Sequence, residues 1–115
     1  MKLPFQIDLN GKVAVITFPY ALKVALGLSD IDLDGLVEIA RSLMGVCVAV
    51  AVRQPSAEGV FRVSMRSSCT YDVASLCARF DGGGHKKAAG CTLHAADMEE
   101  AMNKIVSAMD FSDLK

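Results

Sequence analysis

The sequence predicts a single small α/β domain with a mixed β-sheet of about four to five strands flanked by helices. The chain has 115 residues, of which 52% are hydrophobic and 22% are charged. This composition excludes intrinsic disorder, and the length suits one compact domain. Apolar runs typical of strands alternate along the chain with segments of helical periodicity, which is the pattern of an α/β sheet domain.

The first half of the chain is predicted to contain two strands separated by two helices. Lys12–Phe18 is apolar on both faces, which predicts an internal strand. Helices are predicted over Tyr20–Leu26 and from about Ser29 to Leu43, each ending beside a glycine. Val46–Val52 is a continuous β-favouring run and predicts a central strand.

Val60–Arg66 is predicted to be a strand with one apolar and one polar face, because its residues alternate in character. The apolar face carries Phe61, Val63 and Met65, and the polar face carries Arg62, Ser64 and Arg66. Arginines are therefore expected on the side of the sheet that does not form the core.

The last third is predicted to contain a helix, a short strand and a closing helix. Thr70 is the expected cap of the first helix, and Cys91–His94 is the expected strand. Asp97 and Glu100 form a capping-box pattern for the closing helix. Its apolar positions are Met98, Ala101, Met102, Ile105 and Met109.

The glycine run Gly82–Gly84 is a candidate anion site. Consecutive glycines let backbone N–H groups approach an anion with no Cβ in the way. His85, Lys86 and Lys87 follow directly and supply donors and positive charge, and Arg66 adds a planar guanidinium that can grip phosphate through two bonds. The alternative is a flexible turn with solvated lysines. The run matches neither a P-loop nor a dinucleotide-binding fingerprint.

The charge distribution favours a small anion pocket over a broad basic surface. The formal net charge of −1 argues against a histone-like nucleic-acid binder. Between Arg53 and Cys91, however, six cationic residues face three anionic ones, so this segment carries +3 and the remainder −4.

The segment GGGHKKAAG at Gly82–Gly90 resembles the GGGHxxAAG signature of the DHHA1 domain, the C-terminal half of DHH-type phosphoesterases. Val63–Ser67 resembles the family strand that ends in Arg-Ser, and the Asp72–Phe80 helix leads into the glycines as that family's does. Gly11–Phe18 and Asp32–Val37 look like the bifunctional oligoribonucleases and pAp phosphatases, so the resemblance covers nearly the whole chain.

The resemblance implies roles for individual residues. Arg66 and Ser67 would contact substrate phosphate, and Gly83, Gly84 and His85 would line the same pocket.

The resemblance also places Gly82, Lys86 and Lys87 among the substrate-binding residues. Gly82 opens the motif, whereas Lys86 and Lys87 occupy its variable positions. Asp81 stands where many relatives have glycine, so its carboxylate should point away from the anion or weaken its binding.

The resemblance also implies that residues 1–115 are a substrate-binding domain without its catalytic partner. No Asp-His-His motif occurs in the sequence, so no catalytic residue, metal site or cofactor is expected in this chain. Manganese would be bound by an N-terminal DHH domain, and the full-length protein is a candidate homodimer. The expected ligand is a nucleotide or a short single-stranded oligonucleotide; pAp, short RNA, single-stranded DNA and cyclic dinucleotides remain open. The alternatives are a stand-alone, non-enzymatic nucleotide- or nucleic-acid-binding module and a purely structural domain.

Two patterns in the sequence resemble metal sites, but neither is expected to bind a metal ion. Asp30–Gly35 imitates the start of a calcium-binding EF-hand loop, but Arg41 occupies the position of its bidentate glutamate. Zinc-binding atoms are also present in Cys77, His85, Cys91 and His94. Cys91 and His94 are three residues apart on a predicted strand, however, so their side chains point to opposite faces.

The sequence predicts a cytoplasmic location. It has no signal peptide at its start and no apolar run long enough to span a membrane. Four scattered cysteines (Cys47, Cys69, Cys77 and Cys91) form no CxxC pair, so a disulfide framework is not expected.

Overall fold

Six strands form one mixed sheet in the order β1-β2-β3-β4-β6-β5 in this computed structural model. The structure describes residues 5–8, 12–18, 45–55 and 58–109, together with residues 20, 24, 25, 27, 29, 35 and 38. The strands are β1 (Phe5–Asp8), β2 (Val13–Phe18), β3 (Val48–Arg53), β4 (Val60–Ser67), β5 (Gly83–His85) and β6 (Ala88–His94). Two helices follow β4 and β6, and they are α1 (Val73–Ala78) and α2 (Met98–Ala108).

The sheet is mixed because β2 and β3 are parallel, whereas every other neighbouring pair is antiparallel. A parallel pair needs a long crossover, and helical backbone is found within it at Tyr20, Val24, Ala25, Gly35 and Glu38. These positions fall inside the two predicted helices. Ser29, the predicted start of the second helix, is described and is not in helical backbone, and the other residues of both helices lie outside the described ranges. The predicted α/β class is confirmed.

The main core lies between one face of the sheet and the two helices. Val48, Val50 and Val52 of β3 are fully buried, as the predicted central strand requires. The other buried residues of this cluster include Phe61, Val63 and Met65 from β4, Val73, Leu76 and Cys77 from α1, and Ala101 and Ile105 from α2. The alternation predicted for β4 is therefore confirmed, with its arginines on the opposite face.

The helix caps were predicted correctly for α2 and wrongly for α1. Asp97 accepts a hydrogen bond from the Glu100 backbone N–H at 2.8 Å, which completes the expected cap. The N-cap of α1 is Asp72 rather than Thr70, and it accepts from the Ser75 N–H at 3.1 Å. Thr70 is two residues too early because the chain first bends away from β4.

The sheet has six strands rather than the four to five expected. Strand β5 consists of Gly83–His85, so part of the glycine run is an edge strand and not a loop. Its pairing also starts β6 at Ala88, three residues before the predicted Cys91. Glycines are depleted in strands and have no side chain to show a period of two, which hid both features.

Two glycines are needed because the backbone of β6 passes too close for a side chain. A Cβ on Gly82 would overlap the Gly90 carbonyl oxygen and lie 2.6 Å from the Cys91 Cβ. Gly84 has a φ of +144°, and a Cβ there would lie 2.6 Å from the Ala88 carbonyl oxygen. Gly83, between them, has open space at its Cβ position.

The structure joins two of the four cysteines, contrary to expectation. Cys47 and Cys69 form a disulfide with their Cα atoms 5.3 Å apart, whereas Cys77 and Cys91 are free and buried. The register Val48↔Ser67 places the residues before β3 and after β4 together, a proximity that spacing along the sequence does not reveal. None of the described helices is long and apolar enough to cross a membrane.

Gly84→Ala is expected to destabilise the domain by about 1–3 kcal/mol, since it combines a strained φ with a backbone clash. The matched control is Gly83→Ala, whose Cβ enters open space and should leave stability within about 0.5 kcal/mol. Urea unfolding followed by circular dichroism measures both variants. Equal destabilisation of the two would contradict the close approach of β5 and β6.

Candidate functional site

The register of three strands brings Arg66 and His85 into one row. Ala88 of β6 lies opposite Arg66 of β4 on one side and opposite His85 of β5 on the other. Residues directly opposite one another in a sheet project to the same face, so Arg66 and His85 lie about 10 Å apart across a small alanine. Both side chains are long enough to converge on one phosphate group.

The adjacent row has almost no side chains. Gly90 lies between Gly83 of β5 and Ser64 of β4, and a Cβ on Gly83 would meet nothing within 4 Å. A ligand held by Arg66 and His85 can therefore approach the backbone of the outermost strand. Of the three glycines predicted to form an anion site, Gly83 is thus the one with open space beside it.

The Arg66 guanidinium is held in place by two partners. Its Nε donates to Glu38 Oε1 at 2.5 Å, and its Nη1 donates to the Met65 carbonyl oxygen at 2.9 Å. The Arg66 side chain is 22% exposed and that of Glu38 is 46% exposed. Glu38 therefore places a carboxylate at the group that is expected to bind phosphate. Sequence reasoning missed this residue because it lies 28 positions from its partner.

Ser67 lies on the other face of β4 and is only 2% exposed. Its hydroxyl donates to the Cys69 carbonyl oxygen at 3.3 Å, and its N–H donates to the Lys87 carbonyl oxygen at 2.9 Å. The structure thus separates the Ser67 hydroxyl from Arg66. Ser67 instead ties the β5–β6 turn to the end of β4.

Lys86 and Lys87 form the turn between β5 and β6, and their carbonyl oxygens accept from the N–H groups of Val73 and Ser67 at 3.0 and 2.9 Å. The Lys87 ammonium donates to the Cys69 carbonyl oxygen at 2.9 Å. Hydrogen bonds from Ser75 lower the pKa of the Asp72 carboxyl below its usual 3.8, and the charge of Lys86 adds to the shift. The lysines therefore lie towards α1, apart from the Arg66–His85 row.

A cavity of about 470 Å³ opens on the same face of the sheet, towards the other end of β4. Arg53, Arg62 and His94 line it, and so do Gly82 and Asp81. Asp81 is exposed and adopts a left-handed φ of 60°, the conformation for which glycine is favoured. Gly82 and Asp81 thus belong to this cavity and not to the Arg66–His85 row.

Among the described residues, no group of three or more His, Cys, Asp or Glu side chains is placed to hold a metal ion. Cys77 and Cys91 are buried in the core, where hydrogen bonding to Cys91 raises the pKa of the Cys77 thiol. His94 is exposed, on the opposite face from Cys91. Most of the segment that resembles an EF-hand lies outside the described residues.

The chain is similar in sequence to one curated protein and in fold to solved structures. It is 35% identical over 78 residues to the bifunctional oligoribonuclease and PAP phosphatase NrnA of Thermus thermophilus, a segment that covers 68% of this chain and 24% of NrnA. The solved structure of an exopolyphosphatase-related protein from Bacteroides fragilis superposes with a TM-score of 0.78 at 27% identity. That match covers 90% of this chain and 30% of the other.

A more distant structure shares only the fold. The pGpG-specific phosphodiesterase PggH of Vibrio cholerae superposes with a TM-score of 0.59 at 10% identity, over 88% of this chain and 34% of that protein. The chain thus spans between 24% and 34% of the length of these three proteins. Residues 10–110 match the DHHA1 domain, and they include both the Arg66–His85 row and the glycine run. The chain belongs to the DHHA1 domain family.

Proposed function

We propose that this chain is the substrate-binding domain of a DHH-type phosphoesterase and that it holds a phosphate of a nucleotide or short single-stranded oligonucleotide. The observation that carries the proposal is the row Arg66–Ala88–His85 beside the bare backbone of Gly83 and Gly90. The name of NrnA supports it, because it describes an oligoribonuclease and PAP phosphatase.

Arg66 and His85 are the groups proposed to contact the phosphate. A guanidinium offers two parallel N–H donors that match two phosphate oxygens, and an imidazole adds a further donor. Gly83 contributes by the absence of a side chain, which leaves the strand backbone accessible beside the two donors.

The remaining motif residues are proposed to act by positioning this pair. Gly82 and Gly84 allow the close approach of β5 to β6. The β5–β6 turn is tied to β4 and α1 by hydrogen bonds of Ser67, Lys86 and Lys87. These bonds fix the position of His85 relative to Arg66.

The reaction of the complete enzyme is proposed to be metal-assisted hydrolysis, with the metal ions in an N-terminal DHH domain. Manganese is the metal that the family resemblance suggests. The part played by the present chain is to hold the substrate in a fixed orientation towards that domain. The proposal includes pAp and short RNA as first substrates to test, and single-stranded DNA and cyclic dinucleotides as further ones. A homodimer of the full-length protein belongs to the same proposal.

A cytoplasmic location is part of the proposal, since oligoribonucleotides and nucleotide bisphosphates occur there. In a reducing cytoplasm the Cys47–Cys69 pair would be present as two thiols. Neither sulfur contacts Arg66 or His85 in the described contacts, so phosphate binding is expected in both redox states.

Arg66→Gln and His85→Gln are each expected to weaken pAp binding to this chain. A charge-assisted hydrogen bond contributes about 1.5–3 kcal/mol, so the Arg66 variant should lose about 10- to 150-fold in affinity. Isothermal titration calorimetry measures the change. The matched control is Arg79→Gln, which removes the same charge from an exposed side chain that donates to the Ala108 carbonyl oxygen. Unchanged affinity in both site variants would favour a purely structural role for the glycine strand.

Glu38→Gln is expected to tighten pAp binding about two- to tenfold. The amide oxygen still accepts from Arg66 Nε and keeps the guanidinium in place, while the negative charge that competes with phosphate is removed. The gain should shrink as salt is added, because screening weakens the repulsion between the carboxylate and the ligand. Weaker binding in this variant would show that the charge of Glu38 is needed to orient Arg66.

A further inference from the structure

We propose that the cavity lined by Arg53 and Arg62 is a second phosphate subsite. Together with the Arg66–His85 row, it makes this face of the sheet a binding surface for a single-stranded oligonucleotide. The inference rests on the proposed function, because it takes the Arg66–His85 row as the first subsite. It goes further by naming a separate group of residues and by distinguishing oligonucleotides from mononucleotides.

The cavity has the chemistry of a phosphate site. It has a volume of about 470 Å³ and is lined by two arginines, Arg53 and Arg62, and by the hydroxyl residues Ser64 and Thr92. Arginine and hydroxyl side chains are among the groups that proteins use to contact the sugar-phosphate backbone. Arg62 and Thr92 are exposed, so a ligand can reach them from solvent.

The cavity and the first subsite lie on one continuous face. Arg62 lies opposite Arg53 of β3 and opposite Thr92 of β6, which forms one cross-strand row. The next row, Ser64–Gly90–Gly83, carries only a hydroxymethyl group and two hydrogens. The row after that is Arg66–Ala88–His85. The surface between the Arg53–Arg62 pair and the Arg66–His85 pair therefore carries only small residues.

The distance between the two subsites determines how long a ligand must be to contact both. Arg62 and Arg66 are four residues apart on β4, which is about 14 Å along an antiparallel strand. Successive phosphates of a stacked strand advance by about 3.4 Å, so the two subsites are roughly four phosphate steps apart. A pentanucleotide reaches both subsites. A mononucleotide such as pAp carries both phosphates on one ribose and occupies only the Arg66–His85 row.

Among the described residues that line the cavity, Asp81 is the one with a carboxylate. Its negative charge offsets part of the positive charge of the two arginines. Its left-handed φ of 60° is tolerated by aspartate and asparagine better than by other residues with a side chain. Asp81→Asn therefore removes the charge while keeping the backbone conformation. This variant tests the subsite by a gain of affinity, which loss of folding cannot imitate.

The experiment titrates two probes, pAp and 5′-phosphorylated pentaadenylate, into this chain by calorimetry at several salt concentrations, the lowest of which gives the affinities to be compared. Arg62→Gln should weaken pentanucleotide binding about five- to tenfold and leave the affinity for pAp unchanged. It should also lower the magnitude of the slope of log affinity against log salt concentration by about one for the pentanucleotide.

Asp81→Asn should strengthen pentanucleotide binding about two- to fivefold and leave the affinity for pAp unchanged. Arg79→Gln serves as the control for the loss of one positive charge elsewhere.

The outcomes separate the two proposals. If Arg66→Gln weakens both probes and Arg62→Gln weakens neither, the second subsite is refuted and the proposed function stands. If Arg62→Gln weakens both probes equally, or no more than Arg79→Gln does, the cavity acts only through long-range charge and the subsite is also refuted. If Arg66→Gln changes neither probe, the proposed function itself fails.

Discussion

The antiparallel register that joins β4, β6 and β5 is the constraint on which the proposed site depends. Ala88 lies opposite both Arg66 and His85, so two residues nineteen positions apart in sequence share one face of the sheet. A shift of one residue between any two of these strands would turn one of the pair towards the core. The register is held by the buried residues Phe61, Val63 and Met65 of β4 on one side. Hydrogen bonds from Ser67 and Val73 to the β5–β6 turn hold it on the other.

The glycine run combines a structural requirement with a proposed functional one, and the two fall on different residues. Gly82 and Gly84 lie so close to β6 that a Cβ would meet backbone atoms. Gly83 has no such neighbour, yet it lies on the face of Arg66 and His85. The three glycines, which carry an entropic penalty, thus have two roles. Gly82 and Gly84 let an edge strand form, and Gly83 is proposed to leave the site open to a ligand.

Much of the fold was predictable because it follows from local sequence patterns. The rest was not predictable, because it depends on contacts between residues that are distant in sequence. Apolar runs predicted β2 and β3, alternation predicted the two faces of β4, and Asp97 with Glu100 predicted the start of α2. Strand β5 was missed, since glycines carry no side-chain pattern. At the site, the family resemblance pointed to Arg66 through the strand ending in Arg-Ser and to His85 through the glycine motif. The contact of Arg66 with Glu38, the burial of Ser67, the pairing of Cys47 with Cys69 and the cavity at Arg62 all depend on residues brought together only by folding.

The most direct test of the account is an amide NMR titration of the ¹⁵N-labelled chain with pAp. The account predicts that the N–H resonances of Arg66, Gly83, Gly84 and His85 shift together along one saturable binding curve. Resonances of α2, on the opposite side of the sheet, should stay in place. Shifts confined to α2, or no saturable shift at the glycine strand with pAp in large excess, would contradict the claim that this face of the sheet binds phosphate.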